Sequence, residues 1–169
     1  MRIVEVRRPI LDGNHVRSLA TRAFSPEALV TFHGPGTRVG PWVHAMRTIH
    51  IQLDSTMVPG VIRSLMGISG RTIPARVEQH MTENGARAVA VVNSMHLDIP
   101  GSSLITSEPS FRIHFDNDTT MCTGRVTVSA HLPAPLHIVA ERFMASKAKE
   151  DVERYVDFVK TLSSFQDPA

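Results

Sequence analysis

The sequence predicts an α+β fold in which antiparallel strands are followed and closed by one long amphipathic helix. Apolar and polar residues alternate, with the period of a half-buried strand, in several segments between positions 41 and 132. Turn residues separate those segments, most clearly at Glu83-Asn84-Gly85. After Pro133 and Pro135 the period changes, and apolar residues recur at helical spacing as far as Leu162.

Taken in order, Ile3, Val4 and Val6 stand among charges and mark a first strand over Arg2 to Arg7. Asp12, Gly13 and Asn14 signal a turn. His15 to Ala23 then reads as a short helix with Val16, Leu19, Ala20 and Ala23 on one side. A second short helix starts at Ser25-Pro26, with Ser25 as the cap and Pro26 in the first helical position. The glycines of 34–40 make a loop. The clearest strand runs from Pro41 to Asp54. Val43, Ala45, Arg47, Ile49, Ile51 and Leu53 share one face, and His44, Met46, Thr48, His50 and Gln52 the other. Between Ser55 and Gly70, Met57, Val61, Ile62, Leu65 and Met66 recur at helical spacing between Pro59-Gly60 and Gly67. They predict a short helix inserted between two strands.

Strands follow over Ala75 to Thr82, Arg87 to Leu97, Leu104 to Phe115 and Thr119 to Leu132, with turns at 83–85, 100–103 and 116–118. The closing helix, roughly Pro135 to Ser164, carries a stripe that includes Leu136, Ala140, Phe143, Met144, Ala148, Val152, Tyr155 and Val159. At 1.5 Å per residue it is about 45 Å long, so it must lie across a sheet.

Length and composition limit the function. The 169 residues fit one domain spanning 1–169, and 42% hydrophobic with 20% charged residues is ordinary globular composition. A net charge of +2, no Lys/Arg run and a single Trp and Tyr argue against a nucleic-acid partner. Cys122 is the only cysteine, so no disulfide forms within the chain. No apolar run approaches the roughly 20 residues of a membrane span, and the start lacks a signal-peptide core. The expectation is a soluble intracellular protein, cytoplasmic or organellar.

Arg47 is the residue with the most chemistry. If its apolar row points inward, the guanidinium needs an anionic partner. That partner is either a ligand phosphate or carboxylate, or an internal acid such as Glu78 or Asp98, unless the side chain snorkels to a rim. Gln79 and Asn93 are polar positions on apolar strand faces, suited to a cavity wall or to satisfied internal hydrogen bonds. Phe143 and Met144 are expected to face the same cavity from the last helix. Met57, Val61, Ile62, Leu65 and Met66 read as a lid over its mouth, a membrane-touching helix, or plain core. The nine histidines are scattered without ligand spacing, so no metal is expected. No catalytic residue, nucleophile elbow or phosphate loop is recognisable, and "GPGTRVG" lacks the Lys-Ser/Thr of the last.

The order of elements resembles the START-like (SRPBCC) superfamily, also called helix-grip or birch-pollen-allergen-like. "RTIHIQLDSTMVPGVIRSLMG", "VEQHMTENGARAVAVVNSMHLDI" and "HIVAERFMASKAKEDVERYVDFV" are further similar to PRELI-like lipid-transfer proteins. The resemblance implies a curved antiparallel sheet of six to seven strands wrapped around the long C-terminal helix, with a hydrophobic cavity between them. It implies binding and transfer of a lipid or other apolar small molecule without a cofactor, and transient contact with a membrane surface. A mitochondrial intermembrane location follows from the PRELI-like likeness. Two alternatives stay open: a polyketide-cyclase-like enzyme, or a scaffold subunit of a larger assembly with an unknown protein partner.

Overall fold

In a computed structural model, the structure describes residues 1–10, 16–85, 87–116 and 119–164, without the side chains of 163 and 164. The expected turn at Asp12-Gly13-Asn14, the helix start at His15 and the Asn117-Asp118 part of the last turn lie outside the described residues.

Seven strands form one antiparallel sheet: β1 (Arg2–Ile10), β2 (Arg38–Val39), β3 (Met46–Asp54), β4 (Thr72–Asn84), β5 (Ala88–Leu97), β6 (Ile105–Asp116) and β7 (Thr119–Ala130). Their order is β1-β7-β6-β5-β4-β3-β2. Each strand from β3 to β7 lies beside its sequence neighbours, as short connections favour. The first strand closes one edge against the last. Among the described residues four α-helices accompany the sheet: α1 (Val16–Ala23), α2 (Pro26–His33), α3 (Gly60–Leu65) and α4 (Leu136–Ser164).

Local chemistry explains the boundaries. Ser25 caps α2, its hydroxyl accepting from the Ala28 N–H at 3.1 Å, and Pro26 opens the helix where no N–H is needed. Asp54 likewise caps a short 3-10 turn, Ser55–Met57, by accepting from the Thr56 N–H at 2.9 Å. Gly85, at φ 58°, makes the turn after β4 in the left-handed region that glycine adopts freely.

The main core lies between the concave sheet face, α1 and α4. Val89, Val91, Ile113, Cys122, Val126 and Val128 meet Val152, Tyr155, Val156 and Val159 there. A smaller core joins Ile62, Met66, Ile73, Ala130 and Ala140. Gly124 lets the helix come close. A methyl group built on it would lie 2.5 Å from Val152 Cγ1 and 3.0 Å from Phe111 Cε1.

Three expectations are corrected. The strand from Pro41 begins only at Met46, because 43–46 form a tight turn, so Val43 and Ala45 are exposed and not inward. The helix of the 55–70 segment divides into the 3-10 turn and the six-residue α3, split by Pro59, which has no N–H to continue the ladder. Along α4, Leu136 and Phe143 do not join the buried stripe. They are 38% and 36% exposed, because the helix turns Ala140 and Met144 to the sheet.

Candidate functional site

Arg47 stands at the start of β3 because the chain reverses just before it. The Val43 N–H donates to Met46 O at 2.7 Å and the Met46 N–H returns to Val43 O at 3.0 Å. The two residues between, His44 and Ala45, have φ of 51° and 61°. That is the backbone of a tight hairpin turn usually given to Asn-Gly. Holding side-chain residues there costs about 1–2 kcal/mol each. The turn lays Trp42 against the new strand, and its ring centroid is 4.1 Å from Arg47 Cζ.

Arg47 is only 5% exposed. Its Nε donates to Gln79 Oε1 at 2.7 Å and its Nη2 to the Phe24 carbonyl at 2.6 Å. Gln79 Nε2 in turn donates to Asn93 Oδ1 at 2.9 Å. The register sets Arg47 opposite Gln79 and Gln79 opposite Asn93, so the three form a polar row across β3, β4 and β5. The Phe24 carbonyl follows the last residue of α1, and the carbonyl of Ala23 accepts from the Tyr155 hydroxyl at 3.1 Å. These carbonyls lie where the helix gathers partial negative charge.

The guanidinium therefore meets dipoles and a ring face. Among the described residues no carboxylate pairs with it. Glu78 lies on the other face of the sheet beside Arg76 and His96, and Asp98 is exposed beyond the end of β5. Burial draws the Arg47 pKa down to about 10, with Tyr155 opposing that shift, so the group stays cationic at neutral pH.

Arg47 lines a cavity of about 310 Å³. Its walls are α1 and the α1–α2 junction, Pro41 and Trp42 of the loop before β3, and Met81 and Val89 of β4 and β5. Nη1 of Arg47 has no hydrogen bond to a described residue. Arg17 and Glu83 also line the cavity and pair with each other at 3.4 Å, both largely solvated. A second space of about 50 Å³ lies towards the other end of the concave face, between Leu53, Met57, Met95, Met144 and Ala148. The helix α4 borders only this smaller space, whereas the expected cavity was bounded by α4 throughout.

The residues singled out from the sequence therefore fall into separate places. Arg47 lines the larger cavity. Gln79 and Asn93 line neither space and instead hold Arg47 from behind. Met144 and Met57 line the smaller space, and Phe143 lines neither. Of the remaining lid residues, Ile62 and Met66 are core at 3% and 1% exposure, while Val61 and Leu65 face solvent. His80 and His96 are exposed and away from both spaces. Sequence reasoning missed Trp42, Phe24, Arg17 and Glu83. A lone Trp in the Gly- and Pro-rich stretch before β3 was the available signal for the first, since a large aromatic in a loop needs a surface to cover.

No family model and no curated protein sequence matches the chain. Solved structures do. The Zhui aromatase/cyclase of a Streptomyces species aligns with a TM-score of 0.66 at 7% identity, over 96% of this chain and 93% of that one. A Thermus thermophilus protein gives 0.57 at 13% identity over 98% and 100% of the two chains. A Mesorhizobium loti protein gives 0.57 at 15% identity over 99% and 100%. At these identities the likeness is one of fold: the chain has the α+β helix-grip architecture. Among the described residues no helix is long and apolar enough to cross a membrane.

Proposed function

We propose that the chain binds, without catalysing a reaction, an apolar small molecule that carries an acidic group, with Arg47 as its counter-charge. One observation carries this reading. A guanidinium that is 5% exposed has no carboxylate partner among the described residues and borders a cavity of about 310 Å³. A buried charge without a counter-charge is costly, and a ligand acid would remove that cost by bidentate hydrogen bonding. Lipids with an acidic head are one class of such ligand, and carriage or transfer of them is the use this reading extends to. The helix-grip fold and the apolar walls of the same cavity, among them Phe24, Trp42, Met81 and Val89, support a ligand body of low polarity. A cyclase-like reaction, as in the name of the Streptomyces neighbour, needs an acid–base pair converging on the cavity. Among the described residues, the one acid lining the larger cavity, Glu83, is paired with Arg17 at the rim.

The test is Arg47→Met. The change strips donors from Gln79 Oε1 and the Phe24 carbonyl, at about 1–3 kcal/mol each, but removes an unneutralised buried charge. The two effects offset, so the melting temperature of the free protein should move by only a few degrees (roughly 1 kcal/mol shifts it by 2–8 °C). Affinity for apolar acids should fall at least about tenfold, with neutral alcohols of the same body unaffected. A large fall in melting temperature with an unchanged acid-over-alcohol preference would leave Arg47 as a structural cap of α1 and end the proposal.

A further inference from the structure

We infer that the cavity beside Arg47 selects a flat aromatic monocarboxylate, and that Glu83 sets this charge limit by occupying Arg17. The inference rests on the reading of Arg47 given above and narrows it to a ligand class. Size comes first. At about 310 Å³ the space is at the lower end of small-molecule pockets. It suits one fused or paired ring system with its acid, and is far too small for a two-chain lipid.

Shape and wall chemistry come second. Trp42, Phe24, Pro41 and Met81 line the space, so rings and a thioether meet the ligand body. Aromatic faces and methionine sulfur favour a flat aromatic body over a flexible chain, which also loses more freedom on binding. The acid is set by the guanidinium. Gln79 and the Phe24 carbonyl fix its plane through Nε and Nη2, and Nη1 has no described partner. A planar, preoriented donor of this kind matches a planar carboxylate.

Charge comes third. Among the described residues three charged side chains line the cavity: Arg47, Arg17 and Glu83. Arg17 Nη2 and Glu83 Oε2 are 3.4 Å apart and cancel, which leaves one cation for the ligand. A second carboxylate would have to displace Glu83 from Arg17 and face it as a like charge.

The chain has a single tryptophan, so one indole N–H signal in a ¹⁵N-correlated NMR spectrum reports Trp42 directly. We would titrate the whole chain with 2-naphthoate, decanoate, 2-naphthalenemethanol, naphthalene-2,6-dicarboxylate and phosphatidylglycerol vesicles. The expected result is a shift of the Trp42 signal by 2-naphthoate at a concentration about tenfold below that needed for any of the others. In Glu83→Gln the preference for the monoacid over the dicarboxylate should shrink by about tenfold, as Arg17 becomes available. Decanoate or the vesicles binding as tightly as 2-naphthoate would overturn the aromatic inference while leaving Arg47 as the counter-charge of an apolar acid. An unchanged mono- to dicarboxylate ratio in Glu83→Gln would overturn the role of Glu83. Absence of any shift with every probe would overturn both this inference and the function it rests on.

Discussion

Arg47 and Cys122 show how differently two buried residues can use the same interior. Arg47 keeps its charge because the Phe24 carbonyl, Gln79 and the Trp42 ring solvate it with dipoles and a ring face. Cys122, fully buried between sheet and α4, has no such help, and burial pushes its thiol up to about 12. Two outcomes follow for Cys122. Native protein at pH 8 should react with iodoacetamide only through unfolding, because the thiolate is the nucleophile and it is both scarce and covered. Stability should also fall as pH rises above the unfolded thiol value of about 8.5, where the unfolded chain sheds a proton that the folded chain keeps. About one unit above that value the loss is about 1.4 kcal/mol relative to Cys122→Ala, measured by urea melts of both proteins. Rapid native labelling, or parallel pH profiles, would contradict the buried placement. Arg47 itself was legible in the sequence as a cation on an apolar face. Its partners were not, because Phe24 reaches it through a backbone carbonyl and Trp42 through a turn built by His44 and Ala45. Neither of those two residues advertises a left-handed backbone as Gly or Asn would.

At the level of elements, β4 and β7 were readable to within a few residues because each buries one face and the period-two pattern records it, whereas β5 and β6, which bury the neighbours Ala88 and Val89 and Ile113 and His114, were readable more from the turns that bound them. β2, two residues long, is too short to leave a pattern. The face that α4 turns to the sheet was harder to read at its start, where apolar residues circle the helix and Leu136, Val139 and Phe143 face solvent. Further along, the contact is fixed by a feature that periodicity does not show, the bare backbone of Gly124 under Val152. Gly124→Ala should therefore cost about 1–3 kcal/mol through overpacking, since Val152 and Phe111 are themselves hemmed in. Val152→Ala alone should also destabilise, by about 1–3 kcal/mol from the lost burial and the cavity left behind. Together they should cost clearly less than their sum, because the added methyl fills space that the shortened side chain vacates. Chemical denaturation of the three variants measures this coupling. Strict additivity would mean that α4 does not rest on β7 at this point.

The whole molecule is unevenly held, and its two ends should differ in how readily they open. From Ala148 onwards α4 buries Val152, Tyr155, Val156 and Val159 in the main core, where α1 and the middle of the sheet also meet. Tyr155 adds ring contacts to Phe32 and Phe111 at 4.9 and 4.3 Å and a hydrogen bond to the end of α1. Before Ala148 the same helix commits only Ala140, Glu141 and Met144 to the interior, with Met144 at the margin of the main core and Ala140 in the smaller core beside Ile62 of α3. The smaller space, with Met57 and Met144 on its wall, lies at this weaker end. Local opening free energy follows the buried apolar contact that opening must break. Hydrogen exchange should therefore show graded protection along one continuous helix. Amides from 148 to 160 should exchange only through global unfolding, with the denaturant dependence of the whole protein. Amides from 139 to 146, together with α3, should exchange through a cheaper opening with weaker denaturant dependence. Such a motion would expose the methionine-walled space while the Arg47 end stays assembled, since α1 and Phe24, whose carbonyl holds Arg47, belong to the main core. Equal protection along α4 would make the sheet and helix a single cooperative unit, and α3 would then be part of a fixed wall with no lid function.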